Sequence, residues 1–401
     1  MRGYIILFIL FLIEIGSYYL GVKNFQGKNQ FYFKTFYFTG LLALVGNITL
    51  YMTYYKNGGQ SNVWTTTLFG LSSAFFVFNI FFFVFGIIGE FFPIGFKLFS
   101  AQKSFSAERR NFLGKVVGGI ALLPFGSMIY GVVKGRFDFK VHKVTLTFKD
   151  LPKAFDGFKI AQISDVHSGS FDSDAVVKKG LNLLTKQNPD MILFTGDLVN
   201  NYEYEIKPYI EHFKNLKAPY GKYSVLGNHD YGWHGRWDSE TLMSDNLIRL
   251  KSHHKAMGFD LLNNANRSIE KEGDVIKLLG VENWGNPPFP QYGDLDKSLE
   301  NITEDDFSIL MSHDPDHWEK KTLPHKQHIH LTLAGHTHGM QFGVEIPGLK
   351  WSPVKYKYPR WAGLYKEQEQ FLYVNRGFGY IGYPGRFGIW PEITIIELKK
   401  A

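Results

Sequence analysis

Residues 158–167, F-K-I-A-Q-I-S-D-V-H, decide the fold, because a short β-prone apolar run ends there in polar side chains. The same pattern recurs at residues 191–197, M-I-L-F-T-G-D, and at residues 223–230, Y-S-V-L-G-N-H-D. Amphipathic stretches around residues 173–187 and 205–216 separate the three runs. Strands that alternate with helices predict an α/β domain with a largely buried sheet.

The chain beyond residue 230 has more predicted strands than helices. This bias predicts a second sheet packed on the first, with helices flanking the pair. The predicted fold class of residues 141–401 is therefore α/β with two packed β-sheets. The later strand-like runs are 275–282, 307–313, 329–336, 371–377 and 392–399.

Seven acid, amide and imidazole side chains follow the predicted strands. Ligands of open α/β sheets bind at these carboxyl ends of strands. The chain has no cysteine, and its carboxylate, amide and imidazole groups suit Mn, Fe, Zn, Co or Ni rather than copper or an iron–sulfur cluster. Seven ligands exceed what one ion takes in an open catalytic site, so the set predicts two divalent ions about 3.5–4 Å apart. The candidate metal ligands are Asp165, His167, Asp197, Asn228, His313, His336 and His338.

These residues form the ordered blocks D-x-H, G-D, G-N-H-D, H and G-H-x-H. The chain resembles the calcineurin-like metallophosphoesterase superfamily, whose blocks are D-x-H, G-D-x-x-D/N, G-N-H-D/E, H and G-H-x-H. The wider resemblance covers residues 141–401 and points to bacterial exported or membrane-attached phosphoesterases with a twin-arginine-type N-terminus. Met340 replaces a glycine of many relatives, and Asn200 stands at the last position of the second block.

The resemblance implies a role for each ligand and a reaction. His229 would face the substrate as general acid, with Asp230 as an orienting partner. The implied activity is metal-dependent hydrolysis of a phosphoric ester, a diester rather than a monoester, by metal-activated water. Arg376 and Arg386 are further candidates for contact with phosphate. In the implied assignment Asp165, His167 and His338 hold one ion, Asn228, His313 and His336 hold the second, and Asp197 bridges them.

The first 140 residues carry the whole basic excess of the chain, with 13 Lys and Arg against 4 Asp and Glu. Four apolar stretches there are each long enough to cross about 30 Å of hydrocarbon as a helix. We therefore predict an all-α membrane domain of four transmembrane helices over residues 1–135, and a catalytic domain over residues 141–401. Since the basic residues flank these stretches, the net charge of +7 does not indicate a nucleic-acid partner. The stretches are residues 4–22, 36–55, 67–92 and 113–133.

Basic residues in the short loops predict the orientation of these helices. Lys and Arg are more frequent around residues 23–34 and 97–115 than on the opposite side. Those loops are therefore predicted to be cytoplasmic, which places the catalytic domain outside the cytoplasm, on a bacterial inner membrane. Residues 108–113, E-R-R-N-F-L, resemble the twin-arginine export signal and agree with this orientation.

Two other functions are open at this point. One is a hydrolase of a lipid-linked nucleotide whose catalytic domain faces the cytoplasm. The other is a membrane sensor whose phosphoesterase-like domain only binds ligand, for which Glu14, Asn47, Asn79 and Glu90 supply intramembrane polar groups. The complete ligand set argues for an enzyme. The expected partners are a phosphate-ester substrate, lipid-linked in several of the candidate classes, and membrane lipid.

Overall fold

The computed structural model describes residues 2–56, 63–97, 107–171 and 173–401. The chain divides into two compact units, Met1–Val133 and Lys134–Ala401. The described part of the first unit is helical. Its helices are α1 (Arg2–Asn24), α2 (Lys28–Lys56), α3 (Val63–Lys97) and α4 (Ala107–Val133).

Three segments of these helices are long and apolar enough to cross a membrane, namely Lys28–Leu50, Trp64–Glu90 and Arg110–Val133. The predicted stretch 4–22 lies within α1, whose first side chains are outside the described residues. Four spans therefore stay a prediction. Residues 98–106, on which the predicted orientation partly depends, also lie outside the described residues.

Aromatic rings pack the helices of the first unit against one another. Phe33 of α2 stacks on Phe82 of α3, with ring centroids 5.3 Å apart. Gly40 of α2 faces the ring of Phe75, and a Cβ atom at this glycine would lie only 2.2 Å from that ring. A glycine here lets two helices approach closely, as small residues do at other membrane helix interfaces.

The second unit contains two six-stranded sheets and a separate two-stranded pair. The first sheet has the order β1-β14-β2-β3-β4-β5 and the second has the order β12-β13-β9-β8-β7-β6. The strands are β1 (Lys140–Phe148), β2 (Lys159–Ile163), β3 (Met191–Phe194), β4 (Lys222–Ser224), β5 (Asp260–Leu261), β6 (Ala265–Lys271), β7 (Asp274–Gly280), β8 (Ser308–Met311), β9 (Leu331–Ala334), β10 (Val344–Ile346), β11 (Leu349–Trp351), β12 (Gly363–Glu367), β13 (Gln370–Val374) and β14 (Glu392–Lys400).

Parallel pairing places several strand ends at one edge. Strands β2 to β5 run parallel in the first sheet, and β7, β8, β9 and β13 run parallel in the second. The C-terminal strand β14 lies between β1 and β2, parallel to β1 and antiparallel to β2. The loops after β2, β3, β8 and β9 therefore start from the carboxyl ends of the parallel strands, where ligands of such sheets bind.

Two hydrophobic cores enclose the first sheet. Alternate side chains of one strand enter different cores because successive residues point to opposite faces. Leu193 packs with Leu278 and Ile309 of the second sheet, whereas Ile192 packs with Leu181 of the helix Asp174–Thr185 on the outer face. The prediction of two packed sheets flanked by helices is thus confirmed. The helices of this unit are α5 (Asp174–Thr185), α6 (Ile210–Lys214), α7 (Glu240–Ala256) and α8 (Leu295–Ser298).

Candidate metal centre

Each predicted ligand lies in a loop that follows a strand. Six of the seven are buried, and the side chain of His336 retains 9% exposure. Within the described part of the chain, two groups of acid and imidazole side chains could hold a metal ion, and both come from these loops. Asp165 and His167 follow β2, Asp197 follows β3, Asn228 follows β4, His313 follows β8, and His336 and His338 follow β9.

Five of the seven ligands have a left-handed backbone, with φ between 45° and 71°. Residues other than glycine rarely adopt this conformation, and it persists where surrounding contacts enforce it. Backbone hydrogen bonds do so here. The N–H of Asp165 donates to the carbonyl of Gly196 at 2.8 Å, and the N–H of His167 donates to the carbonyl of Asp197 at 3.1 Å. The strained loops after β2 and β3 thus support each other.

The first ligand group consists of Asp165, His167 and His338, whose ligand atoms all lie within 4.8 Å of one another. The Nε2 atom of His338 lies 3.2 Å from Oδ1 of Asp165. The Nε2 atoms of His167 and His338 are 3.0 Å apart. Two imidazole nitrogens and a carboxylate oxygen thus converge on one point.

The second group consists of Asp197, His313 and His336. The Nε2 atom of His313 lies 3.2 Å from Oδ2 of Asp197. Asn228 joins this group through its Oδ1, which is 2.9 Å from Nδ1 of His336. Asp197 also reaches the first group, since its Oδ2 lies 3.5 Å from Nε2 of His167. One carboxylate therefore lies between the two groups.

These side chains fit divalent metal ions. Within the described part of the chain, Nε2 of His313 is buried and makes no hydrogen bond, although it lies 3.2 Å from Oδ2 of Asp197. Burial of Asp165 and Asp197 leaves two carboxylates in the interior, and such charges are costly unless they are paired or bind a metal. Carboxylate, amide and imidazole ligands without sulfur suit borderline divalent ions. The chemistry of the donor set therefore supports metal binding.

The electrostatics of the centre agree with this conclusion. Burial opposes the ionisation of Asp165, but His338 and His313 outweigh it and hold the pKa of this carboxyl below its usual range. Burial lowers the pKa of His336 to about 3, so this imidazole is in the neutral form that binds metals. Burial also opposes the charged form of His313, but Asp197 outweighs it and raises the pKa of His313 to about 10. The buried carboxylates thus favour positive charge beside them.

Three contacts hold the ligand imidazoles in place. Nδ1 of His313 lies 2.7 Å from the carbonyl oxygen of Thr195, which leaves Nε2 for a metal. Nε2 of His336 lies 2.8 Å from the hydroxyl of Tyr358. Nδ1 of His338 lies 3.1 Å from Nη2 of Arg386. Such outer contacts orient ligand histidines, and the carbonyl of Thr195 also sets the tautomer of His313.

Tyr358 was not predicted from the sequence, and the two tail arginines that were predicted to contact phosphate bind other groups of the protein instead. Tyr358 lies in no motif, and only the folded chain brings it to His336. Arg386 is fully buried and donates to the carbonyl oxygens of Gly377 and Gly379, so its guanidinium is not a free phosphate contact. Arg376 is also buried, and it pairs with two glutamates.

His229 lies beside the ligand groups and is partly exposed. Its N–H donates to Oδ1 of Asp197 at 2.8 Å, and its ring centroid is 4.9 Å from that of His167. Nδ1 of His229 lies 2.8 Å from the carbonyl oxygen of Asn200. The backbone of Asn200 therefore orients this imidazole, whatever the side chain at that position.

Asp230 is buried, and its carboxylate contacts backbone rather than the His229 ring. It accepts hydrogen bonds from the N–H groups of Asp197 at 3.0 Å, Leu198 at 2.8 Å, Val199 at 3.3 Å and Gly227 at 2.9 Å. Burial and the neighbouring Asp197 raise the pKa of Asp230 to about 7. Asp230 thereby joins the loop after β3 to the loop after β4.

Comparison with known families assigns both units. Residues 158–340 match the family of calcineurin-like phosphoesterases, and residues 1–136 match a family described as the transmembrane domain of a probable calcineurin-like phosphoesterase. The transmembrane match and the three apolar helices make this a membrane protein. Sidedness and the type of membrane stay predictions.

Similar proteins occur in bacteria and animals. The uncharacterized metallophosphoesterase YkuE of Bacillus subtilis is 32% identical over 73% of this chain and 98% of its own length. A zebrafish transmembrane protein with a metallophosphoesterase domain is 27% identical over 84% of this chain and 74% of its own length. The UDP-2,3-diacylglucosamine pyrophosphatase LpxG of Chlamydia trachomatis is 27% identical over 64% of this chain and 88% of its own length. The bacterial subgroup and the twin-arginine resemblance therefore stay predictions.

Proposed function

The chain belongs to the calcineurin-like metallophosphoesterases, and we propose that it is a membrane-anchored enzyme that holds two divalent metal ions and hydrolyses a phosphodiester. Asp197 carries this proposal. Its Oδ2 lies 3.5 Å from Nε2 of His167 in one ligand group and 3.2 Å from Nε2 of His313 in the other. A carboxylate in this position is able to bridge two ions and to hold them as a pair.

The seven ligands divide between two ions in this proposal. Divalent ions bound there would activate water as a nucleophile and neutralise phosphoryl oxygens. The chain itself orients the ligand imidazoles through Thr195 and Tyr358, and it keeps the carboxylates away from bulk water. Asp165, His167 and His338 would hold one ion, Asn228, His313 and His336 would hold the other, and Asp197 would contact both.

His229 is the proposed general acid. The carbonyl of Asn200 accepts a hydrogen bond from Nδ1 and fixes the ring, so that Nε2 is the nitrogen from which the doubly protonated ring would donate to the leaving oxygen. Partial exposure leaves this ring accessible to a substrate. Asp230 acts as a positioning residue, because its carboxylate holds the backbone of Asp197 and Gly227.

A lipid-linked nucleotide is the second candidate substrate. Similarity to the UDP-2,3-diacylglucosamine pyrophosphatase of Chlamydia trachomatis favours it, and the membrane unit would keep the enzyme near such a lipid. Hydrolysis of its pyrophosphate link needs the same nucleophile and the same general acid as hydrolysis of a diester. The two candidates therefore differ in substrate and in sidedness rather than in site chemistry.

Hydrolysis by the full-length protein in detergent tests the proposal. We expect turnover of bis(p-nitrophenyl) phosphate that needs added Mn²⁺, stops on chelation, exceeds turnover of p-nitrophenyl phosphate and is lost in Asp197→Asn. Asp296→Asn is the matched control, because this carboxylate is 90% exposed and belongs to neither ligand group. Among described residues it contacts only His325, at 3.1 Å. It should keep full turnover. A folded, metal-loaded protein that hydrolyses neither ester nor UDP-2,3-diacylglucosamine would overturn the proposal and favour a ligand-binding role.

A reporter fused after Ala401 tests sidedness. Alkaline phosphatase activity of the fusion would support the predicted extracytoplasmic domain. Fluorescence of a cytoplasmic reporter at the same position would contradict it and would favour the lipid-linked nucleotide on the cytoplasmic side.

A further inference from the structure

Three helices of the first unit bring polar side chains together near the midpoint of α1 and of the apolar segments of α2 and α3. Glu14 lies midway along α1, and Tyr37 and Asn79 are each two residues from the centre of the apolar segments of α2 and α3. An ionisable group at this depth is rare and is by itself a candidate functional site. The phosphoesterase activity makes no use of it.

Both hydrogen bonds to the Glu14 carboxyl group end on the same oxygen. The Nδ2 of Asn79 donates to Oε2 of Glu14 at 2.9 Å, and the hydroxyl of Tyr37 is shared between this oxygen at 3.1 Å and the backbone carbonyl oxygen of Glu14 at 2.9 Å. The hydroxyl of Ser17 donates to the backbone carbonyl of Asn79 at 2.7 Å, which fixes α1 against α3. The carboxyl group is thus held by donors from two other helices.

Two acceptor oxygens in this cluster are buried and have no hydrogen-bond partner among the described residues. They are Oε1 of Glu14 and Oδ1 of Asn79. Asn79 as a whole is fully buried, so no lipid headgroup or bulk water reaches its amide. Orphaned acceptors in an apolar environment are costly. A single proton on Oε1 of Glu14 would donate to Oδ1 of Asn79 and satisfy both atoms.

No basic side chain in the described part of the chain pairs with Glu14. Lys23, nine residues along α1, forms an ion pair with Glu90 of α3 at 2.5 Å. Lys34 of α2 lies one turn before Tyr37, and the hydrogen bonds to the Glu14 carboxyl group come from Tyr37 and Asn79 instead. Lys115 of α4 lines a cavity with residues 25 and 29, which follow the C-terminal end of α1. An ionised Glu14 would therefore be an uncompensated charge inside the bundle.

We propose that Glu14 carries a proton in the membrane and forms, with Asn79 and Tyr37, an intramembrane proton-binding site. The acid donates through Oε1 to the amide oxygen of Asn79, and the amide nitrogen donates back to Oε2. Tyr37 adds a second donor to Oε2. The proton comes from water, and its uptake and release change the charge between α1 and α3 by one unit.

Carbodiimide labelling of the full-length protein in phospholipid nanodiscs tests the site. Dicyclohexylcarbodiimide reacts with protonated carboxyl groups in apolar surroundings, and mass spectrometry locates the adduct. Since an ordinary carboxyl group is protonated in only about one molecule in 500 at pH 7, we expect about 100-fold more adduct on Glu14 than on the ion-paired Glu90. The adduct should fall as the pH rises and should be absent in Glu14→Gln.

If Glu14 is not labelled, infrared spectroscopy shows whether its carboxyl group is protonated but unreactive or is ionised. The pH-difference spectrum should contain a carbonyl band of a protonated acid that Glu14→Gln removes and Glu90→Gln, the matched control, retains. Asn79→Leu should move this band to the frequency of an acid without a hydrogen-bonded partner. A carboxylate band from Glu14 at pH 7 would overturn the proposal. Suppression of the labelling by Na⁺ or K⁺ at constant pH would also overturn it, because a metal cation would then be the occupant.

Discussion

The two units of this chain bury charge in opposite ways. In Lys134–Ala401 the carboxylates of Asp197 and Asp230 are buried and each has several partners. In Met1–Val133 large apolar side chains such as Leu42, which is 74% exposed, face outward. Among its described residues, polar contacts between helices form small clusters, as at Glu14. Because water surrounds one unit and lipid the other, buried charge concentrates where strand ends meet in the first and stays sparse in the second.

The largest expected effect is at His229. His229→Ala should lower kcat/KM for a phosphodiester by about 10²–10⁴-fold, the range for a positioned general acid. Metal content should not change, because the imidazole belongs to neither ligand group and the variant keeps the backbone N–H that donates to Asp197. Steady-state kinetics and metal analysis of the full-length protein check this.

His325→Ala is the control for that substitution. His325 contacts the exposed Asp296 at 3.1 Å and lies away from the ligand groups. Equal losses in both variants would mean that the effect at His229 is not catalytic.

Removal of Asp230 tests how strongly the catalytic unit depends on a buried charge. Asp230→Asn places an amide against four backbone N–H donors, leaves some of them without an acceptor, and should destabilise this unit by about 1–3 kcal/mol. Thermal unfolding followed by tryptophan fluorescence measures this. An unchanged melting temperature would show that the loops after β3 and β4 hold together without the carboxylate.

Low pH should destabilise the catalytic unit by protonating Glu392, which forms a buried ion pair with Arg376. Arg376 Nη1 lies 2.5 Å from Oε2 of Glu392. Burial opposes ionisation, but Arg376 outweighs it and lowers the pKa of Glu392 to about 2. A depressed pKa contributes stability that is complete above the unfolded-state pKa of about 4.3 and is lost as the pH falls toward 2, at most about 3 kcal/mol.

The melting temperature against pH, compared with that of Glu392→Gln, measures the contribution of this pair. The wild-type protein should lose stability more steeply than the variant between pH 4.5 and 2. Parallel curves would contradict the predicted role of Glu392.

A smaller effect is expected from the hydroxyl that orients His336. Tyr358→Phe removes the 2.8 Å contact to Nε2 and should weaken metal binding by about 10–100-fold, as loss of such supporting contacts does. Titration of the full-length protein with Mn²⁺ measures this. Tyr356→Phe is the matched control, since this tyrosine is two residues away and 77% exposed. A similar affinity loss in both variants would remove the assigned role of Tyr358.

The smallest effect is expected in the membrane unit. Asn47→Ala removes the hydrogen bond to Ser72 between α2 and α3. Interhelical hydrogen bonds in bilayers are worth about 0.6 kcal/mol on average, so the unfolding temperature in lipid should change little. A loss as large as that of Asp230→Asn would contradict the contrast between the units.

The α/β architecture and the candidate metal ligands could be predicted from sequence because both depend on local patterns. Short apolar runs form strands, and the polar residues directly after them lie at the strand ends. The supporting groups could not be predicted. Tyr358 is 22 residues from His336, and Arg386 is 48 residues from His338, in segments without a strand-end pattern.

The sequence alone thus determined which segments are apolar enough to cross lipid, which form strands, and which residue types the strand ends present, because hydropathy and side-chain period act over a few neighbouring residues. Only the tertiary structure decided which side chains meet. It placed Asp197 beside both ligand groups and the Asp230 carboxylate against four backbone N–H donors. It also brought Asn79 into contact with Glu14, from which it is 65 residues away in sequence. Hydrogen bonds and ion pairs act only at short range, so these partners depend on sheet register and helix packing.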